Sequence, residues 1–314
     1  MTVRLPAGSF DPYRRFSIYN SPYPAHDDGC AIDLYPEGEL GRSPVAGVVR
    51  ETRTVGCPDR SYAAATDHLI LVDLDDEWCH RAGADPGTVA RMLHVIPAVE
   101  PGDRIVVGDV LGPTTRSGFF GQWVDDHVHL GFRPPGSNPL RASGSLPVSV
   151  GVAVDGVTWG GTGTVVETGP THAVLDAPTH PGSGAPFVAV RSDEGVPLDG
   201  GLAHYTGGGG FGSTRSGESL SLWGTEVGTV ATARAARRAG SADTSGTPTP
   251  VATVEWAPID VVANGERIVG LSLFAARAPR CGAKLVCPDT TFDVGETVTV
   301  RVEPSDDPVR LDGR

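Results

Sequence analysis

Asp126-His127-Val128-His129-Leu130-Gly131-Phe132 alternates in the manner of a β-strand, and it carries two histidines one residue apart. On a strand, residues i and i+2 point to the same face. Both imidazoles therefore serve one spot, an arrangement suited to placing a metal ligand beside a proton-transfer group. Upstream lie His26 with Asp33, then His94, then the turn signal Pro101-Gly102-Asp103-Arg104-Ile105-Val106-Val107-Gly108.

Short β-runs separated by turn signals continue outward from this stretch. Val45–Val49, His68–Leu74, Met92–Ile96, Arg104–Val110 and His127–Phe132 read as strands. The acidic stretch from Asp75 to Pro86 reads as an insertion on a hairpin. Pro134 to Pro139 and Ala142 to Ser145 read as a linker. Further strands are expected at Val148–Val154, Gly163–Val166, Ala173–Leu175, Phe187–Arg191, Val251–Trp256, Ile268–Phe274 and Glu296–Val302. The expected division is 1–135 as a first β domain, 136–146 as linker, 147–237 as a second β-rich domain, 238–250 as a flexible linker and 251–314 as a C-terminal β-unit. That last piece either stands alone or completes the second domain. The run Gly207 to Gly210 reads as a flexible loop, and the lack of a following Lys-Ser/Thr excludes a P-loop. His204-Tyr205 beside it are candidates to line a cleft, and His172 and His180 are expected to be exposed.

Composition narrows the classes. The net charge is −13, with a single lysine, Lys284, in a chain of 314 residues. That argues against nucleic-acid binding. An acidic, lysine-poor surface suits high salt; a GC-rich genome gives the same arginine-for-lysine bias, and both readings stay open. The 42 glycines and 27 prolines favour turn-rich β structure. The opening residues carry no apolar signal-peptide core, and no apolar run is long enough to span a bilayer, so no membrane partner and a cytoplasmic location are expected. Five dispersed cysteines form no zinc knuckle and read as reduced thiols. A pairing of Cys281 with Cys287 across a turn is the alternative.

Pro22-Tyr23-Pro24-Ala25-His26 and Ala31-Ile32-Asp33-Leu34-Tyr35, the strand Pro44 to Val49, Arg91-Met92-Leu93-His94, the Gly-Asp hairpin from Val99 to Gly112, and His127-x-His129 stand in a family order. Over residues 20–135 the chain resembles the lysostaphin-type zinc endopeptidases. The resemblance implies an all-β fold, an antiparallel β-sandwich or barrel called the duplicated hybrid motif, here followed by a second β-rich region. It implies a Zn2+ ion held by His26, Asp33 and His129. It assigns His94 and His127 as catalytic residues that act as general base and stabilise the oxyanion. The implied substrate is a peptide or cell-wall-like polymer. One departure stands out: six residues separate His26 from Asp33 where the family has three, and Gly29 occupies the usual histidine position.

Plainer readings exist for each residue. His94, between Leu93 and Val95, fits a core histidine. Asp33 lies in an apolar run, where a buried carboxylate without a partner costs several kcal/mol. Asp125 and Asp126 read either as acceptors for a ligand imidazole or as a solvated turn. His68, following Asp67, reads as a capping or surface residue. A non-catalytic β-module of the same fold, binding a ligand or protein through its groove, is the alternative to a hydrolase.

Overall fold

The expected alternation becomes a ladder across four strands. In the computed structural model, which describes residues 1–182, 187–234, 249–277 and 281–311, the protein is nearly all β. Among these residues helix is confined to a 3-10 turn at Ala7–Phe10, the single turn α1 (Pro24–Asp27) and α2 (Asp76–Ala82). Two units are distinguished. The first takes Met1–Phe16 and Asp28–Val152; the second takes Ser17–Asp27 and, among the described residues, 153–234 and 249–311.

The strands of the first unit are β1 (Val3–Leu5), β2 (Tyr13–Ser17), β3 (Ala31–Pro36), β4 (Leu40–Arg42), β5 (Gly47–Gly56), β6 (Thr66–Leu74), β7 (Val89–Leu93), β8 (Arg104–Ile105), β9 (Val110–Pro113), β10 (Val128–Arg133) and β11 (Val148–Val150). Six of them run side by side in the order β3-β10-β7-β6-β5-β8, and every pairing among them is antiparallel. The register sorts the side chains. Ile32, Leu130, Met92 and Ile70 stand opposite one another in successive strands, and all four are buried. One residue along, Asp33, His129, Leu93 and Leu69 form the next row. Cβ direction alternates along a strand, so the second row occupies the opposite face. The first face packs as core; the second carries the polar cluster described below.

Several expected elements differ in detail. The strand expected through Ile96 stops at Leu93, because His94 takes a left-handed backbone with φ 69°. The run expected as one strand from Arg104 to Val110 is two short strands around a turn. Gly108 adopts φ 93° there, and the Asp109 carboxylate accepts from the Val106 N–H at 2.8 Å. The acidic insertion contains α2. Asp76 and Glu77 sit in its first turn, His80 and Arg81 in its last, and Gly83 closes it in the left-handed conformation. This charge order matches the helix dipole, and glycine is suited to the closing position. Trp78 from α2 stacks on Phe132 at 5.6 Å between ring centroids.

Residues 134–147 have no strand or helix, yet they are tied to β10. The buried Arg133 guanidinium donates to the Arg141 carbonyl at 2.8 Å, to the Ala142 carbonyl at 3.2 Å and to Ser145. The Leu146 N–H donates to the Phe132 carbonyl at 2.9 Å.

In the second unit, strands drawn from residues 162–304 make one twelve-stranded sheet. The strands at Val251–Trp256, Ile259–Ala263, Glu266–Ile268, Gly270–Leu273, Lys284–Val286 and Thr297–Pro304 all lie in it. The glycine run expected to be a loop is a strand instead. Gly207–Phe211 pairs with Leu198–Leu202 on one side and Val251–Trp256 on the other. Aromatic side chains explain the composition: a Cβ on Gly208 would stand 2.0 Å from the Trp256 indole, and one on Gly209 would stand 2.1 Å from the Tyr19 ring. The strand is glycine because rings lie flat across it. His204 and Tyr205 are buried beside each other. His172 and His180, expected to be exposed, are half-buried. The five cysteines form no disulfide with one another, and Cys281 is not paired with Cys287. The low-complexity stretch 239–248 lies outside the described residues.

Candidate metal centre

The register brings the chemistry together. His129 pairs with Asp33 of β3 on one side and with Leu93 of β7 on the other. His94 follows Leu93, and Asp67 lies two residues before Leu69, which pairs with Leu93 in β6. His127 precedes β10 by one residue and shares the face of His129.

His26, Asp33 and His129 each offer a ligand atom, and these atoms lie within 4.8 Å of one another. Two atoms about 2.1 Å from one tetrahedral ion stand roughly 3.4 Å apart. A spread of this order is compatible with one shared ion. The His-Asp-His donor set suits zinc. The long His26–Asp33 spacing is taken up by the single turn α1 and by Gly29 at φ 59°.

Ring orientation adds to this fit. The His26 Nδ1–H donates to the Ile18 carbonyl at 2.6 Å. A carbonyl only accepts, so the proton resides on Nδ1 and the lone pair on Nε2, as a metal ligand requires. His129 Nδ1 lies 2.9 Å from Asp33 Oδ1.

His94 and His127 flank the same carboxylate cluster. The His127 Nδ1–H donates to the Asp125 carbonyl at 2.8 Å, which leaves the lone pair on Nε2, 3.5 Å from Asp33 Oδ1. The backbone of Asp125 thus does what its carboxylate was a candidate for. The two side chains pair elsewhere: Asp125 with Arg15, and Asp126 with Arg116 at 3.2 Å. The His94 ring lies 4.9 Å from that of His127 and 5.8 Å from that of His129. Phe120 packs on both His94 and His127, and Tyr35 on His127. This apolar packing shields the imidazoles from water; His94 and His127 are 4 % and 1 % exposed.

Asp67 is the residue that sequence reasoning missed. It is wholly buried. Its Oδ2 accepts from His94 Nδ1 at 2.6 Å and from the Ser117 hydroxyl at 2.9 Å. Its Oδ1 accepts from the backbone N–H of His68 at 2.7 Å and of His94 at 3.2 Å. Burial alone would raise its pKa, but the His94 hydrogen bond and charge, the His68 N–H and the Ser117 hydroxyl together hold it below the usual value. Its position at the first turn of a strand, beside a histidine of its own, hid it. The usable signal was an aspartate on the alternation that leads to Leu69 and Leu71.

Three solved structures are similar at low scores. One is described as the SpoIIQ-SpoIIIAH pore forming complex, at 15 % identity over 43 % of this chain and 85 % of that chain, with a TM-score of 0.27. The second is the M23 metalloprotease pseudoalterin from deep-sea, at 18 % identity over 44 % and 73 %, with a TM-score of 0.26. The third is the antimicrobial peptidase lysostaphin from Staphylococcus simulans, at 11 % identity over 96 % and 100 %, with a TM-score of 0.29. No curated protein matches. Residues 4–150 match the N-terminal domain, and residues 155–303 the C-terminal domain, of the family described as domain of unknown function (DUF8155), so that the two domain models of one family follow each other along the chain.

Proposed function

We propose that the protein is a zinc-dependent hydrolase that attacks a peptide bond. The observation that carries this reading is the convergence of the His26, Asp33 and His129 ligand atoms, with two further histidine rings packed against them. The five sequence elements shared with lysostaphin-type endopeptidases support the choice of a peptide or cell-wall-like polymer as substrate. A bound zinc ion supplies a water of lowered pKa and polarises a carbonyl. The chain's own residues do the rest. His26, Asp33 and His129 would hold and orient the ion. His127, whose Nδ1 faces the Asp125 carbonyl, would accept a proton from the attacking water through Nε2. His94 sits across from it with its Nδ1 proton given to Asp67 and its lone pair on Nε2, so it takes up a proton there before it donates to the oxygen that gains charge. Phe120 and Tyr35 exclude bulk water, which strengthens each of these interactions.

The test is metal content together with hydrolysis. Purified protein supplemented with zinc is expected to hold about one ion per chain and to cleave a glycine-rich peptide. A chelator is expected to stop cleavage and added zinc to restore it. A chain that takes up no zinc is instead the non-catalytic module.

A further inference from the structure

The histidine cluster contains one group for which metal binding has no use, the buried carboxylate of Asp67. Four hydrogen bonds converge on it from three segments: β6 through His68, the residue after β7 through His94, and the loop after β9 through Ser117. An aspartate buried merely to be satisfied needs no such reach. His94 in turn carries a backbone that residues with a Cβ seldom adopt, φ 69°. Its N–H is held by Asp67, and its carbonyl by the Thr115 N–H at 2.9 Å. Strain fixed by surrounding bonds at a candidate site is a pointer to function.

We propose that Asp67 is the positioning residue of His94. It fixes the ring as the Nδ1–H tautomer, with the lone pair on Nε2, the nitrogen away from Asp67. Through Ser117 it ties that setting to the loop that carries Phe119 and Phe120. The Ser117 oxygen also accepts from the Phe119 N–H at 3.2 Å, and both phenylalanines pack on His94.

The geometry makes a sharp demand on Asp67→Asn. Two backbone N–H groups face Oδ1, and they only donate. The carboxamide oxygen must take that place, which puts the NH2 where Oδ2 stood, facing His94 Nδ1. Two donors cannot share a hydrogen bond, so the imidazole proton moves to Nε2. The substitution changes one atom's chemistry and reverses the tautomer.

The experiment is a long-range 15N–1H correlation spectrum of the full chain labelled on histidine, with His94 assigned from His94→Ala. The wild type is expected to show His94 as Nδ1–H, and Asp67→Asn to show it as Nε2–H with zinc uptake unchanged. A wild-type His94 protonated on Nε2 overturns the proposal without any variant, which covers an Asn variant that does not fold. An Asn variant that keeps Nδ1–H overturns it too. The kinetic arm rests on the hydrolase reading: with a peptide substrate, Asp67→Asn is expected to lower kcat at least about 100-fold, with KM changed far less. The spectra need neither zinc nor substrate, so failure of the hydrolase reading and failure of the Asp67 assignment are told apart.

Discussion

His127 and His129 point to one face from neighbouring odd positions, yet different acceptors hold them. His127 gives its Nδ1 proton to a backbone carbonyl, that of Asp125, whereas His129 turns Nδ1 to the Asp33 carboxylate. Both approach the same oxygen, Asp33 Oδ1, at 3.5 and 2.9 Å. Equivalent placement on a strand thus yields unequal chemistry.

Zinc stoichiometry should separate the two. His129→Ala removes a ligand and is expected to abolish both metal uptake and hydrolysis. His127→Ala is expected to keep most of the zinc and lose roughly 10²–10⁴-fold in rate. Equal zinc loss in both would sink the division of roles.

Acid should unfold the protein partly through Asp67. Its carboxyl is held below the unfolded value near 3.9. A group depressed on folding contributes stability that is full above the unfolded pKa and is lost as pH falls through the folded one. Denaturant melts between pH 6 and pH 2 are expected to show a steeper loss below about pH 4 in the wild type than in Asp67→Asn. Parallel curves would contradict this.

The thiols should divide by depth. Burial raises Cys79, Cys281 and Cys287 to about 11, while Cys30 and Cys57 are half-buried. At pH 8 a thiol reagent is expected to label Cys30 and Cys57 in the native protein and the other three only after unfolding. Mass spectrometry of the labelled peptides reads the result.

Gly208→Ala and Gly209→Ala should each cost about 1–3 kcal/mol, the usual penalty for forcing atoms into a packed interior. Gly160, whose Cβ would meet nothing within 4 Å, is the control, and Gly160→Ala is expected to be nearly neutral. Denaturant midpoints decide.

Period-two alternation made the β class and the row of His127 and His129 legible, because a strand's faces follow from sequence alone. The candidate ligands were legible as residue types in order. Their meeting depended on strand neighbours, and sequence alone gives no register: nothing in residues 89–94 says that Leu93 stands beside His129. Asp67 was hidden for the same reason, being two strands from His129. The glycine strand was misread because glycine signals turns locally, whereas here its lack of a side chain makes room for Trp256 and Tyr19, residues distant in sequence. The helix at Asp76–Ala82 was written in its charge order and capping glycine, but the concentration of acid masked them.

The left-handed backbone at His94 sets a choice between two kinds of fitness. Glycine occupies that conformation without penalty, whereas a residue with a Cβ gives up about 1 kcal/mol. His94→Gly should therefore melt no lower than His94→Ala, and it trades the imidazole for a relaxed backbone. A lineage selected for robustness alone would drift to glycine at this position. With histidine at this position, the chain keeps a ring in place at the expense of a more relaxed backbone.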